Sequence, residues 1–420
     1  MKEQFRAAGF DIVGEDDFAD VYVINTCTVT SIADRKSRQY IRRMKKRNPG
    51  AVVAVTGCYA QIKPEEISSL PQVDIVAGTG EKNNLIKYVE EFIADGNPQT
   101  HVIEYERLKE YHDCGIITSM ESRTRAYIKI QEGCDRFCSY CLIPFARGRV
   151  RSRNPEEILK EARALIDKGF KELILTGINT ALYGSEDGFD RNYPDWVSEG
   201  REGVEIVIAA LDSLPGNFRI RLSSLEPAVI NAEYVKRLMK YSRLCHHLHL
   251  SVQSGSDKIL KLMNRPYGRK EYLDIVSVLR EADPLYGVST DIIVGFPCES
   301  EEDLNDSMRI IDEAEFCKVH PFKYSKREGT AAARMGGQID PRVKNMRMEK
   351  LSSAAEQSVA KFLETCIGDR RTVLFEERED GMVTGYTDNY IKVYAEGSAI
   401  NCFREVKLLE RYRDGMKGEI

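Results

Sequence analysis

Short buried apolar runs alternate with helical stripes over the first part of the chain. A helix end over 2–8, stopped by Gly9, precedes them. Asp20–Asn25 reads as a buried strand, Thr30–Asn48 as a long helix stopped by Pro49-Gly50, and Ala51–Thr56 and Val73–Ala77 as further strands. Helices at about 64–70 and 81–94 separate and follow them. Strand–helix alternation predicts a doubly wound parallel α/β domain over 1–95. Such a sheet normally opens on a strand, whereas this chain opens inside a helix. The weakly periodic residues 96–122 are expected to be a linker, introduced by the turn cluster Asp95-Gly96-Asn97-Pro98.

Between residues 123 and 340 the pattern becomes strand then helix, repeated. Six strands are expected: Ala126–Gln131, Glu172–Thr176, Phe218–Leu222, His247–Val252, Val288–Val294 and Phe316–Phe322. The helices between them include Pro155–Lys168 with Asn154 as N-cap, Val204–Leu214, Ala228–Tyr241, Arg269–Ala282 and Glu301–Ala314. Six β/α units predict an incomplete (β/α)6 barrel whose site lies at the C-terminal strand ends. A helical connector over 341–367 ends at Gly368. Residues 368–412 then alternate with period two, in strands Thr372–Glu376, Met382–Tyr386, Tyr390–Tyr394 and Glu405–Leu409. Short strands and regular turns predict a small β-barrel.

Composition narrows the class without naming it. A formal charge of -5 over 420 residues does not announce a nucleic-acid binder. No apolar run is long enough for a transmembrane helix, and MKEQFRAAGF lacks the apolar core of a signal peptide. A cytoplasmic, reducing location with no membrane partner is therefore expected. There the eleven cysteines favour metal binding over disulfides.

Three of those cysteines, Cys134, Cys138 and Cys141, form C-x3-C-x2-C just after a strand. Three thiolates on a cubane leave one iron open for a substrate or cofactor. Zinc would want a fourth ligand nearby, and no Cys or His follows until Cys245. The spacing, with the aromatic Tyr140 before the last Cys, resembles the signature of the radical S-adenosylmethionine enzymes. That resemblance implies a 4Fe–4S cluster on these three cysteines, with the open iron chelating the amino and carboxylate groups of S-adenosylmethionine.

Cys27 in Asn25-Thr26-Cys27 and Cys58 in Thr56-Gly57-Cys58 follow strand ends, where α/β sheets place ligands. By themselves they are equally well two half-buried core cysteines. Together with the downstream motif they resemble the N-terminal domain of the methylthiotransferases, a radical S-adenosylmethionine subfamily. There three cysteines hold a second, auxiliary 4Fe–4S cluster. Cys27 and Cys58 match the second and third. The first strand and first cysteine of that pattern have no counterpart in this sequence, and Cys114 is the nearest spare thiol. The run Leu142-Ile143-Pro144-Phe145-Ala146-Arg147-Gly148-Arg149-Val150-Arg151-Ser152-Arg153 also resembles this subfamily. Gly385-Tyr386-Thr387-Asp388-Asn389-Tyr390 resembles its terminal RNA-binding TRAM barrel.

The family fold suggests how the remaining polar groups are used. Thr176, Gly177 and Asn179 follow the second barrel strand, where the family's Gly-rich segment meets the methionine amino group. Ser223 and Glu226 are expected to meet the ribose or the methionyl part. Gln253 ends the fourth strand. Asp291 opens Asp291-Ile292-Ile293-Val294-Gly295, whose backbone is expected to pack the adenine, and Arg265 occupies a position where the family has a base that pairs with the cofactor carboxylate. His246, His247 and His249 are expected in the core or at the barrel mouth, not as ligands. Helix Arg35–Arg47 carries eight basic residues and no acid. Arg42 and Arg43 there, Arg147 and Arg149 beside the cysteines, and Tyr386 and Tyr390 in the barrel are the expected RNA contacts, against solvated or structural roles. No role follows for the acidic loop 184–203.

The resemblance implies an enzyme that replaces a C–H hydrogen by –SCH3, using S-adenosylmethionine and two 4Fe–4S clusters. Asn25-Thr26-Cys27-Thr28-Val29-Thr30 and the barrel's Tyr-Thr-Asp-Asn-Tyr look most like the subgroup acting at C2 of N6-threonylcarbamoyladenosine at position 37, in the tRNA anticodon loop. N6-isopentenyladenosine in tRNA and a ribosomal-protein aspartate are the alternative substrates. An electron donor such as flavodoxin or ferredoxin is implied, and the sulfur donor is unspecified. A tRNA-binding iron–sulfur protein impaired in thiolation is the reading from another class.

Overall fold

The computed structural model describes residues 1–108, 111, 124–197 and 200–420. They form two compact units. One comprises 1–119, 132–151 and 325–334, and the other 120–131, 152–324 and 335–420. Each unit is therefore assembled from segments distant in sequence.

The first unit holds a four-stranded parallel sheet in sequence order: Val21–Thr26, Val52–Gly57, Ile75–Ala77 and Gln99–His101. The second strand is buried along its whole length, as a strand covered on both faces must be. Ile41 and Met44 of helix Ser31–Arg47 pack one face, and Leu85, Tyr88 and Val89 of helix Leu85–Asp95 the other. The fourth strand lies in the stretch expected to be linker. Three residues, Gln-Thr-His, are too few and too polar to show a strand period, and pairing with Ile75–Ala77 holds them.

The second unit contains the expected arc of parallel strands: Arg125–Lys129, Glu172–Thr176, Arg219–Leu222 continued by Ser224–Leu225, His247–Leu250, Gly287–Val294 and Lys318–Lys323. Alternate residues turn outward into one core, as Leu173, Ile220, Leu248 and Ile292 do. The intervening positions line the inside of the arc. Helix Pro341–Thr365 packs on the last strand.

Five strands close the C-terminal barrel: Arg370–Glu379, Met382–Thr387, Lys392–Ala395, Cys402–Tyr412 and Gly415–Glu419. The fifth strand extends the barrel past residue 412, the expected end. Its two glycines hide it from propensity, yet closure needs them. A Cβ on Gly415 would lie 2.1 Å from the Lys392 carbonyl oxygen, and one on Gly418 would lie 2.3 Å from Val406.

Candidate functional site

In the first unit, strand register makes a pair of Cys27 and Cys58. Thr26 pairs with Gly57, so the two cysteines are the next residues of adjacent parallel strands. Gly57 has φ +98°, and a Cβ there would lie 2.3 Å from the Thr26 carbonyl oxygen. Only glycine allows this approach. Cys27 is exposed and Cys58 buried. Arg327 fixes the turn after Cys27, donating to Thr28 Oγ1 and Asp34 Oδ2, both at 2.6 Å. Nothing in the sequence marks that role, because Arg327 lies about 300 residues away.

The loop carrying Cys134, Cys138 and Cys141 belongs to the same unit. Gly133 has φ +79°, and a Cβ there would collide with the Arg149 carbonyl oxygen. Phe137 is also left-handed, at φ 46°. The Cys134 amide donates to the Gly148 carbonyl at 3.1 Å and the Cys141 amide to the Cys138 carbonyl at 3.0 Å. The Ile143 amide donates to Cys141 Sγ at 3.4 Å, the kind of N–H···S contact that tunes a cluster thiolate. All three cysteines and Tyr140 are half-buried. Among the described residues no three Cys, His, Asp or Glu side chains already converge on one point, so the fit rests on donor chemistry and loop backbone. Three thiols within eight residues, on a backbone that only this glycine permits, suit a cubane. Two thiols at neighbouring strand ends suit part of a second. Cys114 lies outside the described residues.

Arg147 is not where RNA contact would put it. Its Nη1 pairs with Glu132 Oε1 at 2.7 Å and its Nε donates to Cys58 Sγ at 3.1 Å. Burial disfavours its charge, but Cys58 and Glu132 hold its pKa above the ordinary value. Arg149 is exposed, 3.5 Å from Asp135 and over the Phe137 ring. On helix Ser31–Arg47, Arg38, Lys45 and Arg47 turn to Glu66, Asp74 and Asp16. Arg43 also meets Asp16, at 2.5 Å, while Arg35, Lys36, Arg42 and Lys46 face solvent.

In the second unit the expected cofactor residues gather at the C-terminal strand ends. Asn179 Nδ2 donates to Glu226 Oε2 at 2.7 Å, and Arg265 Nη1 to Glu226 Oε1 at 2.6 Å. The Ile178 and Asn179 amides donate to Gln131 Oε1 at 3.1 and 3.0 Å, which holds Gly177 against Gln131. Thr176 Oγ1 bonds the Ile128 carbonyl. Asn179 Oδ1 and Ser223 Oγ are buried without a hydrogen-bond partner among the described residues. Such orphaned atoms suit a polar ligand, so the residues fit S-adenosylmethionine. Gln253 is left-handed at φ 68° and bridges to strand five through its backbone. Asp291 accepts from Ser251 Oγ at 2.8 Å and lies 3.2 Å from His249 Nε2. Burial opposes the Asp291 charge, but His249 and Ser251 hold its pKa below the ordinary value.

Tyr386 is half-buried and Tyr390 remains 39% exposed. They stack on each other at 5.1 Å, with Arg125 over Tyr386 and Arg221 over Tyr390. Tyr394 is buried, on the face opposite the barrel core, with Lys392 and Arg413 over its ring. Asn389, fully buried, donates to the Leu285 carbonyl at 2.8 Å. The Tyr-Thr-Asp-Asn-Tyr turn thus docks the small barrel on the N-terminal end of the strand arc. Periodicity shows which residues point out of a strand, not what covers them.

The arc and cysteine loop together define a radical S-adenosylmethionine enzyme. The Radical SAM superfamily model matches residues 128–311, and the model described as uncharacterized protein family UPF0004 matches 1–78. A methyltransferase of the radical class, TsrM from Kitasatospora setae, shares the fold at TM-score 0.53 and 13% identity, over 88% of this chain and 70% of that one. Curated relatives are much nearer. The threonylcarbamoyladenosine tRNA methylthiotransferase MtaB of Bacillus subtilis is 41% identical over 97% of this chain and 89% of its own. That of Aquifex aeolicus is 37% identical over 98% and 95%. A tRNA-2-methylthio-N(6)-dimethylallyladenosine synthase of Clostridium novyi is 35% identical over 91% and 83%. The chain belongs to the methylthiotransferase family, and within it to the MtaB type.

Proposed function

We propose that the protein transfers a methylthio group to C2 of N6-threonylcarbamoyladenosine at position 37 of tRNA. Near-full-length identity to MtaB proteins carries this reading. When bound, S-adenosylmethionine and the two 4Fe–4S clusters supply the radical chemistry, the methyl group and the sulfur. Cys134, Cys138 and Cys141 hold the radical cluster, and Cys27 and Cys58 contribute to the auxiliary one. Asn179, Glu226, Arg265 and Ser223 orient S-adenosylmethionine. Asn179 Oδ1 and Ser223 Oγ give it acceptors, and Glu226 keeps Asn179 and Arg265 in place. The exposed bases Arg35, Lys36, Arg42 and Lys46 face the tRNA backbone. A small iron–sulfur or flavin carrier such as ferredoxin or flavodoxin supplies the electron. The setting is the cytoplasm, in keeping with described helices that are nowhere long and apolar enough to cross a membrane.

Nucleoside analysis of tRNA from a deletion strain tests the assignment. The 2-methylthio form should vanish, leaving N6-threonylcarbamoyladenosine. An unchanged level of the methylthio nucleoside would overturn it, and loss of the isopentenyl counterpart would reassign the substrate.

A further inference from the structure

The inner wall of the strand arc holds more polar chemistry than the cofactor group uses. Val319 belongs to the core outside the last strand, so His320 and Phe322 point inward. His320 is the register partner of Asp291, and Phe322 that of Ile293. Both inward residues are exposed, Phe322 by 47%. His249, the neighbouring imidazole at 5.8 Å, is already committed. Its Nδ1 lies 3.0 Å from Ser289 Oγ, and its Nε2 lies 3.0 Å from Ser251 Oγ and 3.2 Å from Asp291 Oδ2. His320 has no hydrogen-bond partner among the described residues. It stands on the sixth strand, whereas Asn179, Glu226 and Arg265 follow the second, third and fourth. The arc therefore offers a second, separate polar point inside, with an exposed aromatic ring two residues along the same face.

We propose that His320 is a specificity residue for the N6 substituent: its imidazole donates to the threonyl carboxylate while Phe322 packs on the adenine. This rests on the substrate reading above. Residues two apart on one strand face are about 7 Å apart, comparable to the reach of a carbamoyl-linked amino acid from a purine ring. An isopentenyl substituent offers no acceptor and no charge. Hydrogen bonds to charged groups discriminate strongly when one partner is missing. Burial holds His320 below the ordinary imidazole range, and Asp291 pulls it back up. The ring is thus available as a donor rather than fixed in a permanent ion pair.

The test measures binding, without turnover, by fluorescence anisotropy of the full chain. The RNAs are anticodon stem-loops with N6-threonylcarbamoyladenosine, its methyl ester, or plain adenosine at position 37. The wild type should prefer the carboxylate form, and the ester should lose that preference. His320→Ala should reduce the preference by about 10-fold or more while leaving affinity for the plain loop unchanged. His320→Gln, which keeps a donor, should restore part of it and decides the matter should the alanine variant misfold. A preference intact in both variants overturns the inference alone. A wild type without preference overturns the inference, and nucleoside analysis then judges the substrate reading separately.

Discussion

Arg147 and Arg42 carry the same charge and have different surroundings. Arg42 stands on a solvent-facing helix surface, whereas Arg147 lies between Glu132 and Cys58. At the end of the short helix Ile143–Arg147 the long Arg147 side chain reaches inward to a buried carboxylate, since an unpaired buried charge is the costlier state. Reversing charge at Arg42 and Arg43 should weaken tRNA binding and lower the salt slope by about one per lost phosphate contact, read from affinities across a salt series. Arg147→Ala should leave the slope unchanged and reduce stability by about 1 kcal/mol, because Glu132 loses its 2.7 Å partner while Arg151 stays 3.7 Å away. An unaltered slope in the Arg42 and Arg43 variants would remove that helix from the interface.

At the scale of elements, the junction of the strand arc with the C-terminal barrel depends on charge. Glu172 is buried between Arg219 and Arg221, at 2.5 and 3.0 Å. Burial alone would raise its pKa, yet the two guanidinium groups hold it at about 2. Arg221 also donates to the Thr387 and Asp388 carbonyls of the docking turn, both within 3.1 Å. Beside it, His246 lies 2.7 Å from Asp283, which also pairs with Arg371. The bond to Asp283 raises the His246 pKa against the opposing effect of burial, with Asp388 helping and Arg371 resisting. A raised histidine stabilises fully below its unfolded value near 6.5 and loses that contribution as pH climbs through the folded value. The junction should therefore loosen above neutral pH, by under about 1 kcal/mol because His246 is half exposed. Hydrogen exchange in the 385–391 turn would report it, and His246→Gln should abolish the pH dependence. A turn equally protected across that range in the wild type would refute the coupling.

For the whole molecule, two cysteine groups imply two separable chemistries. Cys134→Ala should abolish 5′-deoxyadenosine formation, because the three-thiolate set loses a member. Cys58→Ala should spare that product and stop thiolation, as product analysis by mass spectrometry would show. Loss of both activities in both variants would mean the two groups act as one centre.

Much of this was legible in the chain itself. The 3.6 and 2 periods located the arc strands, and Glu172–Thr176, Arg269–Ala282 and Glu301–Ala314 begin and end where the pattern places them. Cysteine spacing carries the resemblance to the radical motif, because three ligands for one cluster can share one loop. Glycine-containing or three-residue strands such as Gly415–Glu419 and Gln99–His101 were not visible, since their partners supply what propensity lacks. The same holds for side chains whose role depends on what covers them. Strand alternation puts Tyr386 and Arg221 on accessible faces, and only tertiary packing stacks Tyr386 with Arg125 and Arg221 with Tyr390. Local periodicity and spacing are enough for the longer elements and for the groups of reactive residue types. Tertiary structure alone decided which side chains meet: Arg147 with Cys58, Arg327 with Asp34, His249 with Asp291, because those contacts join residues that the chain keeps far apart.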